Sequence, residues 1–143
     1  LTTQNKEAVE TFFKLIKQEH MKYALLVFLG GGFGSALRYF VGKLFQDAFG
    51  TFPVGTLIVN VVGSLLIGFF LGLGLKNGGL SEAQTLLLVT GFCGGFTTFS
   101  AFTLENQMFL KSGDYVQFIS YTLGSLILGI VAVVVGLFLS KNF

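Results

Sequence analysis

The sequence is poor in the residues on which most soluble active sites depend. It has one histidine (His20), one cysteine (Cys93), one proline and no tryptophan, and only 11% of its residues are charged. A single cysteine excludes a disulfide within the chain, and one histidine with one cysteine is too few for a zinc-type cluster. The net charge is only +2 and no run of lysine or arginine is present, which argues against a nucleic-acid partner.

Hydrophobic residues, in contrast, make up 52% of the chain. Together with the scarcity of charge, this composition is typical of an integral membrane protein. About 20 residues of helix cross a bilayer core, and four apolar runs of at least that length follow one another with short connections. The sequence therefore predicts one all-α membrane domain over residues 21–143, with transmembrane helices at about 23–45, 54–75, 83–110 and 115–139.

Residues 1–20 differ from the rest because they hold three of the nine basic and three of the seven acidic residues. Four apolar residues recur there at helical spacing: Val9, Phe12, Phe13 and Ile16. One interpretation is an amphipathic helix lying on a surface. The favoured one is that Met21 begins the membrane domain and that an upstream extension or an expression remnant precedes it. The segment lacks the long apolar core and cleavage site of a signal peptide.

The first span contains a glycine-rich run, GGGFGSALRY, over residues 30–39. This run imitates a dinucleotide-binding loop, but it follows no soluble strand and no acidic partner lies about 20 residues further on. Gly30 and Gly34 are better explained by close packing of two helices. Because a charge in hydrocarbon is costly, Arg38 either snorkels to the interface or has a structural or vestibule role.

The second span is apolar except at Thr56, Asn60 and Ser64, which lie one turn apart and share one helical face. Gly68 and Gly72 continue this spacing. Small residues along one face indicate packing against another helix, and the asparagine indicates that the contact is polar. An isolated amide in so apolar a helix is a candidate site residue, with simple interhelical hydrogen bonding as the alternative.

The third span contains GFCGGFTTFSAFTLE, Gly91–Glu105, whose glycines and hydroxyl groups weaken a helix. We predict a break near the middle of this helix. Lipid cannot satisfy free peptide groups, so such a break must be buried in protein or line a wet cavity. Carbonyl groups freed there can coordinate a hard cation, and a fixed cation favours anions nearby. A packing kink without a site is the alternative.

Phe99 and Phe102 follow the predicted break and share one face if the helix resumes there. Aromatic ring edges carry partial positive charge, so they can contact a small dehydrated anion without binding it too tightly to release it. Taken alone, however, such a pair is more often part of a core. Glu105 is the only acid well inside a predicted span, and it can end a pore, pair with Arg38 or lie near the interface.

The basic residues of the membrane domain show no bias that would orient it. Three fall on each side of the membrane, namely Lys22, Lys76 and Lys141 against Lys43, Lys111 and Arg38. Because these residues normally decide which loops stay in the cytoplasm, a balanced protein can insert both ways round, and an antiparallel homodimer is its natural assembly. Residues 1–20 would add Lys6, Lys14 and Lys17 to the first side and tilt the count.

Three motifs in order, GGGFGSALRY, GTLIVNVVGS and GFCGGFTTFSAFTLE, resemble those of the Fluc family of bacterial fluoride channels. The likeness runs from about Met21 to the end of the chain and does not include residues 1–20. It implies a dual-topology homodimer whose antiparallel subunits enclose two fluoride pathways. It also implies one central sodium ion, which is structural and is not transported.

The resemblance also implies roles for single residues. The sodium ion would be held by backbone carbonyls of Gly94 and Thr97 from both subunits. The implied pore residues are Asn60, Phe99, Phe102, Glu105, Tyr121 and Ser125, together with Thr56 on the face of Asn60. Arg38 would be structural or vestibular. Two positions depart from the family pattern, since Ala101 replaces a common threonine and Gly129 replaces a hydroxyl residue of the polar track on the fourth span.

The function that the resemblance implies is passive, selective fluoride export through a multi-pass protein of the bacterial plasma membrane. The implied partners are fluoride, a second copy of the chain and the lipid bilayer. No nucleophile–base pair, ATP-binding loop or cofactor motif indicates an enzyme. The alternative, a proton-coupled small multidrug exporter, needs a carboxylate deep in the membrane, and none precedes Glu105 within a span. A non-conducting assembly subunit would leave the polar face and the break without a purpose.

Overall fold

A computed structural model describes residues 3–46, 50–76 and 78–143, with the side chains of residue 14 and of residues from 16 onward within these ranges. Six α-helices and one π-helical segment follow in order: α1 (Thr3–Leu44), α2 (Val54–Gly74), α3 (Glu82–Thr85), the π-helical segment (Leu86–Cys93), α4 (Gly94–Phe96), α5 (Phe99–Ser112) and α6 (Tyr115–Ser140). Within the described ranges the chain contains no strand.

Four stretches are long and apolar enough to cross a bilayer, namely Ile16–Leu44, Val54–Gly74, Glu82–Ser112 and Tyr115–Ser140. The third of them joins α3, the π-helical segment, α4 and α5, with an interruption between α4 and α5. The prediction of an all-α membrane protein with four spans and a broken third helix is therefore confirmed.

Helix α1 runs without interruption through residue 23, where the first span was predicted to begin. Its 42 residues correspond to a length of about 63 Å, twice the hydrocarbon thickness of about 30 Å. The apolar positions Val9, Phe12 and Phe13 lie outside the described side chains, and Ile16 is 36% exposed. The surface preference of this segment therefore stays a prediction.

Glycines bring α1 into backbone contact with the first half of the third span. A β-carbon at Gly30 would collide with the carbonyl oxygen of Leu87, and one at Gly34 would collide with that of Phe92. Only glycine permits this approach, so the predicted close packing is confirmed, with the π-helical segment as its partner.

Glycines also bring α2 against α6. A β-carbon at Gly68 would meet the backbone of Val133, and one at Gly72 would meet the side chain of Ser140. The predicted packing face of α2 is confirmed at these two positions. As a result, the polar residues on the N-terminal part of the same face are directed toward the region between α2, α5 and α6.

The ends of the helices in the second half of the chain follow local capping chemistry. Ser81 and Gln84 form the capping box at the start of α3 that their spacing predicts. Helix α5 ends at Gly113, whose φ of 77° favours glycine. The Asp114 side chain then accepts the N–H of Gln117 and caps α6. These caps set a tight antiparallel turn between α5 and α6.

Candidate functional site

The third span breaks at Thr97 and Thr98, whose backbones are extended (φ −80°, ψ 160° and φ −150°, ψ 119°). The glycines that contributed to the prediction, Gly94 and Gly95, are themselves helical in α4. The break therefore lies at the threonines. Thr98 Oγ1 accepts the N–H of Ala101 at 3.2 Å, so a side chain replaces the helical backbone acceptor and starts α5 anew.

The Asn60 amide on α2 binds both polar groups of the extended residue Thr98. Its Oδ1 accepts the Thr98 N–H at 2.7 Å, and its Nδ2 donates to the Thr98 carbonyl at 3.0 Å. A buried peptide group without a partner costs about 1–3 kcal/mol, so this pair of hydrogen bonds stabilises the break. The polar helix contact predicted for Asn60 is confirmed, and its partner is the broken backbone.

The carbonyl groups of Gly94 and Thr97 are among those that lose their helical donors at the break. In a continuous helix the Gly94 carbonyl would accept the N–H of Thr98, and the Thr97 carbonyl would accept that of Ala101. These N–H groups go instead to Asn60 and to the Thr98 side chain. Among the described residues, no side chain donates to either oxygen. Such carbonyl oxygens are the donor chemistry that suits a hard cation.

Arg38 reaches the same break from α1. Its Nε donates to the Gly95 carbonyl at 3.1 Å, and Ser35 Oγ donates to the same oxygen at 3.3 Å. A cation at the C-terminal end of a helical segment interacts favourably with the helix dipole. Arg38 is half-buried, so it makes a structural contact instead of extending freely to the interface.

A cavity of about 380 Å³ lies beside the break, between α2, α5 and α6. Its polar groups belong to Asn60, Ser64, Thr97, Thr98 and Ser125, and its remaining wall is apolar or aromatic. None of the residues that line it carries a charge. The cavity therefore offers hydrogen-bond donors and aromatic rings, but no ionised group that would trap an ion.

The rings of Phe99 and Phe102 lie on the wall of this cavity, with centroids 5.8 Å apart and planes inclined at 37°. Phe99 is 75% exposed, so its ring is not part of the core of a single chain, which is the usual place for such a pair. Phe102 is half-buried and contacts the ring of Tyr121 at a centroid distance of 5.2 Å. Phe99 thus lies on the outside of the single chain, whereas Phe102 packs against Tyr121 inside it.

Glu105 receives hydrogen bonds from two other helices. Thr56 Oγ1 on α2 donates to one carboxylate oxygen, and the Tyr121 hydroxyl on α6 donates to the other at 2.6 Å. Tyr121 is 1% exposed, so this cluster is fixed by packing as well as by hydrogen bonds. Both carboxylate oxygens are bound by hydroxyls, and the pair with Arg38 that the sequence left open does not occur between these described residues.

The predicted pore residues therefore form two neighbouring groups. Asn60, Phe99, Phe102 and Ser125 line the cavity beside the break. Thr56, Glu105 and Tyr121 form the hydrogen-bonded cluster, and Glu105 also lines two further cavities of about 410 Å³ and 250 Å³. The contact between Phe102 and Tyr121 joins the two groups.

Asn106 is a polar residue of this region that is absent from the predicted site. It is 7% exposed, donates to the Phe102 carbonyl at 2.9 Å and accepts the Thr122 hydroxyl at 2.8 Å. It thus holds α5 against α6 next to the Glu105–Tyr121 contact. The available signal was an amide directly after Glu105, inside the predicted third span.

Comparison with known sequences places this arrangement among related proteins. The sequence model of the family described as "CrcB-like protein, Camphor Resistance (CrcB)" matches residues 25–137, which include the break and the whole wall of the first cavity. A "Fluoride-specific ion channel FluC" from Azobacteroides pseudotrichonymphae is 43% identical over 124 residues, which are 86% of this chain and 99% of that protein.

Two further relatives bear the same name. The protein from Helicobacter pylori strain Shi470 is 45% identical over 118 residues, covering 80% of this chain and 90% of its own length. The protein from Gloeothece citriformis is 48% identical over 119 residues, covering 82% of this chain and 96% of its own length. The similarity is thus spread over the whole membrane domain.

Proposed function

The chain belongs to the CrcB-like protein family, and from this premise we propose that it is a fluoride-selective ion channel that exports fluoride passively and lowers its cytoplasmic concentration. It is a multi-pass protein of the bacterial cell membrane with four spans, and a channel, not an enzyme. The relatives named as fluoride-specific ion channels are matched over at least 90% of their length.

The observation that carries this proposal is the uncharged cavity beside the break. A small anion that enters a membrane protein must exchange water for hydrogen-bond donors, and it must bind weakly enough to leave. The amide of Asn60 and the rings of Phe99 and Phe102 lie on its wall, and amide N–H groups and ring edges carry partial positive charge without a full one. A lysine or arginine in the same place would bind the anion more tightly and slow its release.

We infer that the Thr56–Glu105–Tyr121 cluster forms the next part of the pathway. Glu105 lies on the walls of the two further cavities, whose other lining residues include Thr51, Ser112 and Asp114. Its charge is shared with two hydroxyl donors from α2 and α6, which are the polar groups that fluoride would meet beyond the cavity. Arg38 supports the pathway indirectly through the Gly95 carbonyl.

We propose that the carbonyl oxygens of Gly94 and Thr97 hold a structural sodium ion together with the same atoms of a second subunit. This proposal is supported by the two N–H groups of Thr98 and Ala101, which bond elsewhere. The Gly94 and Thr97 carbonyl oxygens are therefore available as hard ligands. When bound, the ion supplies a fixed positive charge that favours anions in the adjacent cavity. It is not transported.

We propose an antiparallel, dual-topology homodimer as the assembly. Two carbonyl oxygens are too few to enclose a sodium ion, and a two-fold axis at the break would double them. The even distribution of basic residues in the membrane domain supports insertion in both orientations. A proton-coupled multidrug exporter, the alternative function, is not favoured, because both oxygens of the Glu105 carboxylate are bound by hydroxyls.

An anion-efflux assay tests the channel directly. Liposomes that contain the purified protein and potassium fluoride should release fluoride when valinomycin is added, whereas liposomes loaded with potassium chloride should retain it. Phe99→Ile should lower fluoride release, while Phe143→Ile, at an exposed chain-end phenylalanine, should not. Equal release of both anions would refute selectivity, and absence of release with protein present in the bilayer would refute the channel.

A further inference from the structure

The Ser125 hydroxyl is a buried polar group without a partner. Its Oγ has almost no contact with solvent and makes no hydrogen bond to the described part of the chain, yet the residue lies on the wall of the cavity beside the break. Buried hydroxyls are nearly always hydrogen-bonded, and an unmade bond costs about 1–3 kcal/mol. In this rotamer the hydroxyl is therefore covered, and a free donor on the cavity wall has to come from another residue.

Ser64 on α2 faces the same cavity from the opposite wall. Its hydroxyl, too, makes no hydrogen bond with any described residue, although serine in a helix often bonds the carbonyl four residues earlier, as Ser120 does with Val116. Ser64 lies one turn beyond Asn60, which corresponds to about 6 Å along α2. The hydroxyl is therefore available to a molecule in the cavity.

Gly129 on α6 makes room for this hydroxyl. A β-carbon at Gly129 would lie 3.7 Å from Ser64 Oγ, and no other atom outside its own helix would lie within 4 Å. Gly129 also lines the cavity, one turn beyond Ser125. Because Gly129 has no side chain, the polar group nearest to this part of the cavity is the Ser64 hydroxyl on α2.

We propose that Ser64 forms a hydroxyl binding position for fluoride on α2, beside the space that Gly129 leaves on α6. This inference rests on the proposed function. The Ser64 hydroxyl rotates freely and can point its hydrogen at an anion, and hydrogen bonds to a charged group are stronger than those between neutral groups. An anion leaving Asn60 would meet this position about one helical turn further on.

Moving the hydroxyl from one wall to the other tests the proposal. In the liposome assay, Ser64→Ala should lower fluoride release about tenfold, which is the effect of losing one hydrogen bond to an anion. The double variant Ser64→Ala with Gly129→Ser should recover release to within about threefold of the original chain, because the new hydroxyl would occupy the same space. Recovery by relocation is not expected if Ser64 is only a packing residue.

Two matched controls accompany the exchange. Ser120→Ala removes an exposed hydroxyl from α6 and should leave release unchanged. Ser64→Ala with Gly124→Ser adds a hydroxyl to α6 at a position with equally free space, but away from the cavity, and should not recover release. If Ser64→Ala does not purify as a monodisperse protein, Ser64→Cys keeps the shape of the side chain with a slightly larger atom and replaces the hydroxyl by a weak donor, with the same expected loss.

The outcomes distinguish failure of the proposed function from failure of the inference about Ser64. Absence of fluoride release from the unaltered protein would overturn the proposed function, and the inference with it. Release from the unaltered protein with no loss in Ser64→Ala would overturn only the inference and would mean that the Ser64 hydroxyl binds water alone. Loss in Ser64→Ala that Gly129→Ser fails to recover, or that Gly124→Ser recovers equally, would also overturn it.

Discussion

The Asn60 side chain illustrates how much function can depend on a single amide. It binds the N–H and the carbonyl of Thr98 at the same time, and it lies on the wall of the cavity. Its second Nδ2 hydrogen is left for a ligand, because only one of the two is used by Thr98. Asn60 therefore stabilises the break and contributes a donor to the proposed pathway.

We expect Asn60→Asp to lower fluoride release by at least tenfold. Aspartate can still accept the Thr98 N–H, but it cannot donate to the Thr98 carbonyl, and it places negative charge in an uncharged cavity. Release is measured with a fluoride electrode, and assembly by size-exclusion chromatography, which should be unchanged. Asn142→Asp, at an exposed position, is the matched control. Normal release from Asn60→Asp would show that the pathway lies elsewhere.

At the scale of helices, the contact between α1 and the third span depends on glycine. The π-helical segment and α4 approach α1 so closely that a β-carbon at Gly34 would meet the backbone at Phe92, and one at Gly95 would meet that of Gly31. A backbone carbonyl cannot move away by changing a rotamer. The contact therefore holds the first half of the third span rigidly, which positions the carbonyls at the break.

We expect Gly34→Ala to lower the stability of the protein by about 1–3 kcal/mol, the usual cost of overpacking. Gly32→Ala is the matched control, because a β-carbon there would have no neighbour within 4 Å. Since alanine favours helix by up to about 1 kcal/mol over glycine, this control should be equally or more stable. Thermal denaturation in detergent measures both, and a Gly34→Ala variant as stable as the control would contradict the packing argument.

At the scale of the whole molecule, the single chain leaves its site open. Phe99 is 75% exposed, and the Gly94 and Thr97 carbonyls lack donors among the described residues. Carbonyl groups without donors are costly in lipid, and the proposed second subunit would relieve this cost and cover Phe99. The proposed dimer thus follows from groups that one chain leaves unsatisfied.

Removal of sodium should weaken the assembly. We expect that replacing sodium by N-methylglucamine, which is too large for a site of carbonyl oxygens, reduces the dimer fraction at a fixed protein concentration, because an ion that binds only the assembled state stabilises it by mass action. Light scattering of the detergent-solubilised protein measures this fraction. Exchange of chloride for gluconate at constant sodium is the control, and an equal dimer fraction with and without sodium would argue against the ion site.

The orientation of the chain should depend on residues 1–20. The full chain has six lysines on the side of Lys22, Lys76 and Lys141 and three basic residues on the other, whereas the chain from Met21 has three on each. A reporter protein fused after Phe143 shows on which side of the membrane this end lies. For the shorter chain we expect a reporter active in the cytoplasm and one active in the periplasm to give comparable signals. The full chain should shift toward the cytoplasm-active reporter. A single orientation of the shorter chain would contradict dual topology.

The sequence by itself determined the class and the architecture. Apolar runs long enough to span a bilayer, separated by turn residues, allow only transmembrane helices, because lipid leaves no other way to satisfy the backbone. It also determined that the third helix breaks and that Gly30, Gly34 and Gly68 allow close contacts, since both follow from local chemistry. Three motifs of the sequence also indicate the resemblance to fluoride channels, and the relatives support it.

Only the tertiary structure decided which groups meet. The sequence could not pair Asn60 with Thr98, Arg38 with the Gly95 carbonyl or Glu105 with Thr56 and Tyr121. These partners lie on different helices, and their meeting depends on the rotation and depth at which each helix packs. For the same reason, Ser64 was one small residue on a helical face until its hydroxyl was found opposite Gly129.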